Sequence, residues 1–218
     1  MARPAQGYKN SAGQRVPGTT TIIERFKESR ALMHWAFKQG QSGAASLYEK
    51  RDEAAEAGTL AHDMIEAFIL SRPAPEVAAV NPQIAERAAN AFAQFREWWN
   101  QTRIEIIATE RAYVSERHQF GGTVDAIGRD TKGRIVLVDW KTSNGVYQDY
   151  LIQLGAYALL LEECAIEWKP EAFHLLRVAK ESADFSHHYY GELEDAKAQF
   201  ILFRQAYDIA ARLKKRAA

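Results

Sequence analysis

Apolar positions recur at helical spacing through roughly the first hundred residues and at strand spacing after that. The opening MARPAQGYKNSAGQ has no such pattern, and residues 1–15 read as loose. VPGTTTIIERF, 16–26, reads as a turn and a helix, with Thr20 or Thr21 as cap and Glu24 where a capping box places its acid. Helical spacing continues over 29–40, stopping at Gly40, and over the Ala- and Glu-rich 44–70, with a break expected near Gly58. Three prolines mark 71–83 as a loop, and 83–101 is a further amphipathic helix ending in Trp98 and Trp99. Strand-like runs follow at 104–115, 121–130 and 134–143, the last two joined by a turn at 131–133 that suggests a hairpin. A strongly apolar helix at 148–163, strands at 171–180 and 185–193, and a helix at 194–216 complete the order. Helices, three strands, a helix, two strands and a helix predict an α/β fold with a central mixed sheet flanked by helices and a helical N-terminal part. At 218 residues without an internal repeat, the chain reads as one domain, 1–218.

Charge changes this picture little. Basic and acidic residues balance at 28 each, which argues against wrapping nucleic acid through many phosphate contacts. Residues 1–30 carry six bases and two acids, a segment able to touch an anion, although on charge alone a solvated tail accounts for it better. Cys164 is the single cysteine, which excludes an internal disulfide and a cysteine-bound zinc or iron–sulfur centre. No apolar run approaches the ~20 residues that span a bilayer, and the N-terminus lacks the apolar stretch of a secretory signal. These features fit a reducing, cytoplasmic setting with no membrane contact.

The strand IVLVDWKTS, 135–143, carries the candidate chemistry. On a strand, Asp139 and Lys141 share a face and Trp140 takes the other. Alone, such a pair is an ordinary ion pair at a strand end. In a hairpin, Asp125 of GGTVDAI comes near Asp139, and two adjoining carboxylates repel unless a proton or cation lies between them. Oxygen ligation of this kind suits Mg²⁺ or Mn²⁺. Taken alone, the pair is better explained as two separate surface acids. His62 and Glu66 share a helix face at i and i+4, as do Gln153 and Tyr157 on the helix after the D-x-K strand.

Each signal is common by itself, but their order is not. G-T-x-x-H, G-x-x-D-A-I, V-D-x-K-T-S and Q-L-x-x-Y, in this sequence and spacing, resemble the PD-(D/E)XK nucleases of the RecB-like exonuclease group, across roughly 16–163. VPGTTTII followed by His34-Trp35-Ala36 is similar to the opening of mitochondrial and phage single-strand exonucleases of that group. The resemblance implies a restriction-endonuclease-like fold and a metal-dependent DNA nuclease. It implies an exonuclease acting on free or single-stranded ends, in recombination, repair or phage DNA processing within a bacterial or phage-infected cell. It assigns His62, Asp125, Asp139 and the Trp140 backbone carbonyl to Mg²⁺ or Mn²⁺, and Lys141 to positioning or deprotonating the attacking water. It makes Gln153 and Tyr157 supporting and DNA-contacting residues, with Glu66 and Glu110 as outer contributors. Glu110 sits where some relatives carry an extra acid. Thr142, Ser143 and Trp35 are further contact candidates, Ser143 and Asn144 as phosphate holders. Tyr48, Phe120, Tyr147 and Tyr150 join Trp35 as stacking candidates for a single strand. Some relatives hold a four-cysteine iron–sulfur cluster, which one cysteine excludes here. Others are fused to a helicase, for which 218 residues leave no room, so the chain acts alone, oligomerises, or works with a recombination or replication partner. A nearby cation and partial burial are expected to lower the pKa of Lys141. The competing readings are a non-catalytic DNA-binding or recombination accessory module that kept the fold, and a structural protein with a chance D-x-K.

Overall fold

The computed structural model describes residues 4, 7–27, 30–41 and 47–217, and the side chains of these except 30–32, 35 and 47–50. A two-stranded hairpin, β1 (Tyr8–Lys9) and β2 (Arg15–Val16), precedes α1 (Thr19–Phe26), α2 (Arg30–Gln41), α3 (Leu47–Ile69) and α4 (Pro82–Gln101). Then come β3 (Glu105–Ser115), β4 (Phe120–Arg129), β5 (Ile135–Thr142), α5 (Gln148–Cys164), β6 (Ala172–Val178), β7 (Phe185–Tyr190) and α6 (Glu194–Arg216). The central sheet runs β3-β4-β5-β6-β7, antiparallel except where β6 lies parallel to β5 after the α5 crossover. The mixed sheet flanked by helices is the architecture that the alternation of periods predicts.

Strand periodicity sorts the core into two layers. Val136, Val138 and Trp140 of β5 face α3 and α4, joining Leu60, Ile65, Phe95 and Trp98. Ile135 and Leu137 face the other way, joining Ile22, Leu154, Leu160 and Phe200 from α1, α5 and α6. α5 is apolar almost all round because the sheet lies under it and α6 over it. Gly155 makes that closeness possible: a Cβ there would lie 2.8 Å from the Lys197 backbone nitrogen.

Three local expectations are corrected. Residues 8–16 are a hairpin rather than a loose lead-in. Tyr8 packs on Gly121, where a Cβ would sit 2.3 Å from the ring, and its hydroxyl lies 3.0 Å from the Thr123 hydroxyl. The periodicity of nine residues is too short to register this anchoring. α3 runs unbroken through Gly58, whose missing side chain admits Thr142: a Cβ would be 2.8 Å from its Oγ1. The glycine serves the packing of α3 against the end of β5. α1 is preceded by Gly18 without a side-chain cap, and Thr19 instead donates to the Gly121 carbonyl at 3.1 Å. Among the described residues, no helix is long and apolar enough to cross a membrane.

Candidate active site

The site lies in a fork of the sheet. β4 and β5 pair only from Ala126–Val138 to Arg129–Ile135, yet both strands continue past the last pair, β4 back to Phe120 and β5 on to Thr142. Continuing the register by one residue sets Asp125 opposite Asp139. On its other side, Thr109 pairs with Ala126 and Arg111 with Val124, which sets Glu110 opposite Asp125. One row across β3, β4 and β5 therefore reads Glu110, Asp125, Asp139. α3 supplies His62 to this row, and the His62, Glu110 and Asp125 ligating atoms all come within 4.8 Å of one another.

The fork explains why the charges are buried. Asp125 and Asp139 are both wholly inaccessible. Where the ladder opens, the Trp140 amide donates to Asp125 Oδ2 at 3.2 Å in place of a strand partner. Asp125 Oδ1 has no hydrogen-bond partner among the described residues, a costly state for a buried carboxylate unless a cation answers it. Lys141 Nζ sits 2.8 Å and 2.7 Å from the two oxygens of Asp139 and 5.5 Å from the centre of the Tyr150 ring. The Trp140 ring is in the core, edge-on to Phe95 at 5.6 Å, and its indole N–H donates to His62 Nδ1 at 3.1 Å.

Burial dominates the electrostatics. It pushes Asp139 up to about 7 against the pull of Lys141, with Asp125 adding to the rise. It also raises Asp125, again opposed by Lys141. Burial, followed by the Lys141 charge, holds His62 down at about 3, so its imidazole is neutral and has a lone pair to give. With Nδ1 accepting from Trp140, the neutral ring carries its proton on Nε2. A metal bound by His62 must therefore take Nδ1 from Trp140, or the ring must turn over. In the metal-free protein only the burial part of the expectation for Lys141 applies. Burial does lower its pKa, but the Asp139 and Asp125 carboxylates outweigh burial and hold it above the ordinary lysine value. Without a cation, Lys141 is firmly an ammonium.

The other candidates take varied places. Gln153 donates to the Tyr157 hydroxyl at 2.6 Å beneath the site. Tyr157 lies against Gly122, where a Cβ would be 2.8 Å from its Cε1, and at 2% exposure it supports the fork from inside the core. Glu66 is 3.6 Å from Arg72 at the far end of α3. Ser143 donates to the Gly145 carbonyl at 2.8 Å, and Phe120 is buried against Phe200 at 4.6 Å. Trp35 and Tyr48 lie outside the residues whose side chains are described.

Two clefts of about 240 Å³ adjoin the end of β5. One reaches Lys141 between α1 and α5, along Thr20, Ile23, Tyr150 and Gln153, with the Lys27–Asp149 ion pair at 3.0 Å beside it. The other brings Thr142, Ser143 and Asn144 together with Arg87 and Lys180. Sequence reasoning missed Lys27, Arg87, Asp149 and Lys180, which follow no motif and meet the site only through folding.

The sequence model of the PD-(D/E)XK nuclease superfamily matches residues 23–215. The chain belongs to that superfamily. Its members use divalent metals, and the His62, Glu110 and Asp125 group has the composition such an ion requires. Among solved structures, the chain is similar to SSO0001, at 16% identity and a TM-score of 0.40, over 60% of this chain and 62% of that one, less than two thirds of its length. It is also similar to the alkaline exonuclease LHK-Exo from Laribacter hongkongensis, at 12% identity and a TM-score of 0.41, over 57% of this chain and 69% of that one. The complex of LHK-Exo with dAMP aligns at 11% identity and a TM-score of 0.43, over 75% of this chain and 95% of that one. No curated protein matches.

Proposed function

We propose that this superfamily member is a Mg²⁺- or Mn²⁺-dependent deoxyribonuclease that hydrolyses phosphodiester bonds from a free or single-stranded DNA end, in recombination, repair or phage DNA processing. The observation that carries the reading is the acid row Glu110, Asp125, Asp139 in the sheet fork, with neutral His62 on one side and Lys141 on the other. The buried acids Asp125 and Asp139, with Lys141 in contact with Asp139 and an Asp125 oxygen unsatisfied among the described residues, fit a divalent cation.

His62, Asp125 and Glu110 would hold the ion, with Asp139 and the Trp140 carbonyl beside them. When bound, a divalent cation acidifies water and offsets negative charge developing on the phosphoryl oxygens. Glu110 is backed by its own backbone. It holds φ of +49° within β3, a left-handed conformation that costs about 1–3 kcal/mol for a non-glycine residue and concentrates at working sites. Lys141, paired with Asp139, acts as a hydrogen-bond donor that orients water against the phosphorus. The Tyr150 cleft admits one unpaired base beside the lysine, and the second cleft offers Lys180 to the backbone beyond Ser143, with Arg87 there held by Glu53 and Glu181.

The test uses end-labelled linear single- and double-stranded DNA, and a circular single strand, with Mn²⁺ or with EDTA. Cleavage of linear DNA alone, with metal alone, is expected. Lys141→Ala should lose roughly 10²–10⁴-fold in rate. Metal-dependent cutting by Lys141→Ala at the wild-type rate would overturn the assignment, and cutting of the circle would overturn end dependence.

A further inference from the structure

α6 has two apolar faces. The inner one packs Phe200, Phe203 and Tyr207 onto the body of the protein. On the opposite face, steps of three and four residues carry a stripe from Asp195 through Ala198, Leu202, Ile209 and Leu213 to Arg216, with Ala206 at its middle. Leu202, Ile209 and Leu213 are 62%, 48% and 57% exposed, an unusual concentration of bare aliphatic side chains on one line. An acid stands at the start of the stripe and a base at its end. Among the described residues, neither Asp195 nor Arg216 has a recorded ion-pair partner.

The stripe is complementary to its own reverse. Laid antiparallel on a copy of itself, Asp195 meets Arg216, Ala198 meets Leu213 as small against large, and Leu202 meets Ile209. Gln205 and Ala206 then fall at the centre. A two-fold axis through that centre satisfies every pair twice, as an isologous interface requires. Parallel pairing would stack Asp195 on Asp195 and Arg216 on Arg216, and would align the two helix dipoles. Antiparallel pairing opposes the dipoles and joins the acidic first turn of one α6 to the basic last turn, Lys214 to Arg216, of the other.

We propose that α6 is a self-association surface, and that the protein forms a two-fold dimer through antiparallel pairing of this helix with that of a second copy. The surface is separate from the sheet fork, so the proposal is independent of the nuclease reading.

Sedimentation of the full chain over roughly a hundredfold range of concentration should show a dimer that dissociates on dilution. Leu202→Glu with Ile209→Glu, both exposed, should give a folded monomer with an unchanged circular-dichroism spectrum. Register is tested by cross-linking in a Cys164→Ser background. Leu202→Cys with Ile209→Cys should form disulfide-linked dimers on oxidation, since two residues seven apart on one helix lie about 10 Å apart and cannot bridge within a chain. Leu202→Cys alone should not, because it faces its own copy only in a parallel pair. A wild-type monomer throughout, whether or not α6 binds some other protein, overturns the proposal. So does a dimer that survives the double glutamate variant, or cross-linking through Leu202→Cys alone.

Discussion

Asp125→Asn should make the metal-free protein more stable at alkaline pH while weakening its response to metal. Asp125 and Asp139 are both fully buried in the fork, and Lys141 pairs with Asp139. Asp139, at about 7 rather than 3.8, is destabilising by about 4 kcal/mol when ionised. The sign follows from proton counting. Between about pH 4 and 7 the folded protein holds a proton that the unfolded chain has released, so stability falls as pH rises through that window and levels off above it. Burial is the main cause and Asp125 a lesser one, so neutralising Asp125 should recover on the order of 1–2 kcal/mol. Asn keeps an oxygen for the Trp140 amide and offers an N–H toward the neighbouring carboxylates. A protein of this length shifts its Tm by about 2–4 °C per kcal/mol, so the gain at pH 8 is about 2–8 °C, fading toward zero near pH 4. Thermal melts of both proteins in EDTA across pH 4–8.5 check this. Added Mn²⁺ should then raise the wild type, by about 2.7 kcal/mol at a hundredfold excess over Kd, and raise the variant less. A variant that melts several degrees lower than wild type at pH 8 in EDTA, with the same offset at low pH, would refute the picture of mutually repelling carboxylates.

Gly121→Ala drives a Cβ into the base of the Tyr8 side chain, so it should cost about 1–3 kcal/mol, lower the urea midpoint at constant m, and open residues 10–14 to limited proteolysis. Unchanged midpoint and cleavage would show that the N-terminal hairpin is not held there. Tyr157→Phe removes the acceptor of the buried Gln153 amide and should cost about 1–3 kcal/mol in chemical denaturation. A neutral effect would mean that Gln153 finds another partner.

How far the sequence reached depends on the range of the interaction. The order of helices and strands was legible because local period sets which face of each element is apolar, and the two layers around β5 follow from that alternation. Placing Asp139 and Lys141 on one face of β5 needed only the strand repeat, and the structure puts their charged groups in contact. What needed tertiary structure was set by contacts between residues distant in the chain. Gly58 reads as a helix break by propensity, yet the helix continues because Thr142 needs the space. Tyr8 reads as part of a loose lead-in, yet it is anchored by Gly121 and Thr123, more than a hundred residues away. Glu110 joins His62 and Asp125 only through the β3–β4 register and its own left-handed backbone, neither of which has a local signature. The direction of the Lys141 shift was also a tertiary outcome. A strand end implies partial burial, which lowers a lysine, but only the fork reveals two carboxylates close enough to reverse the sign.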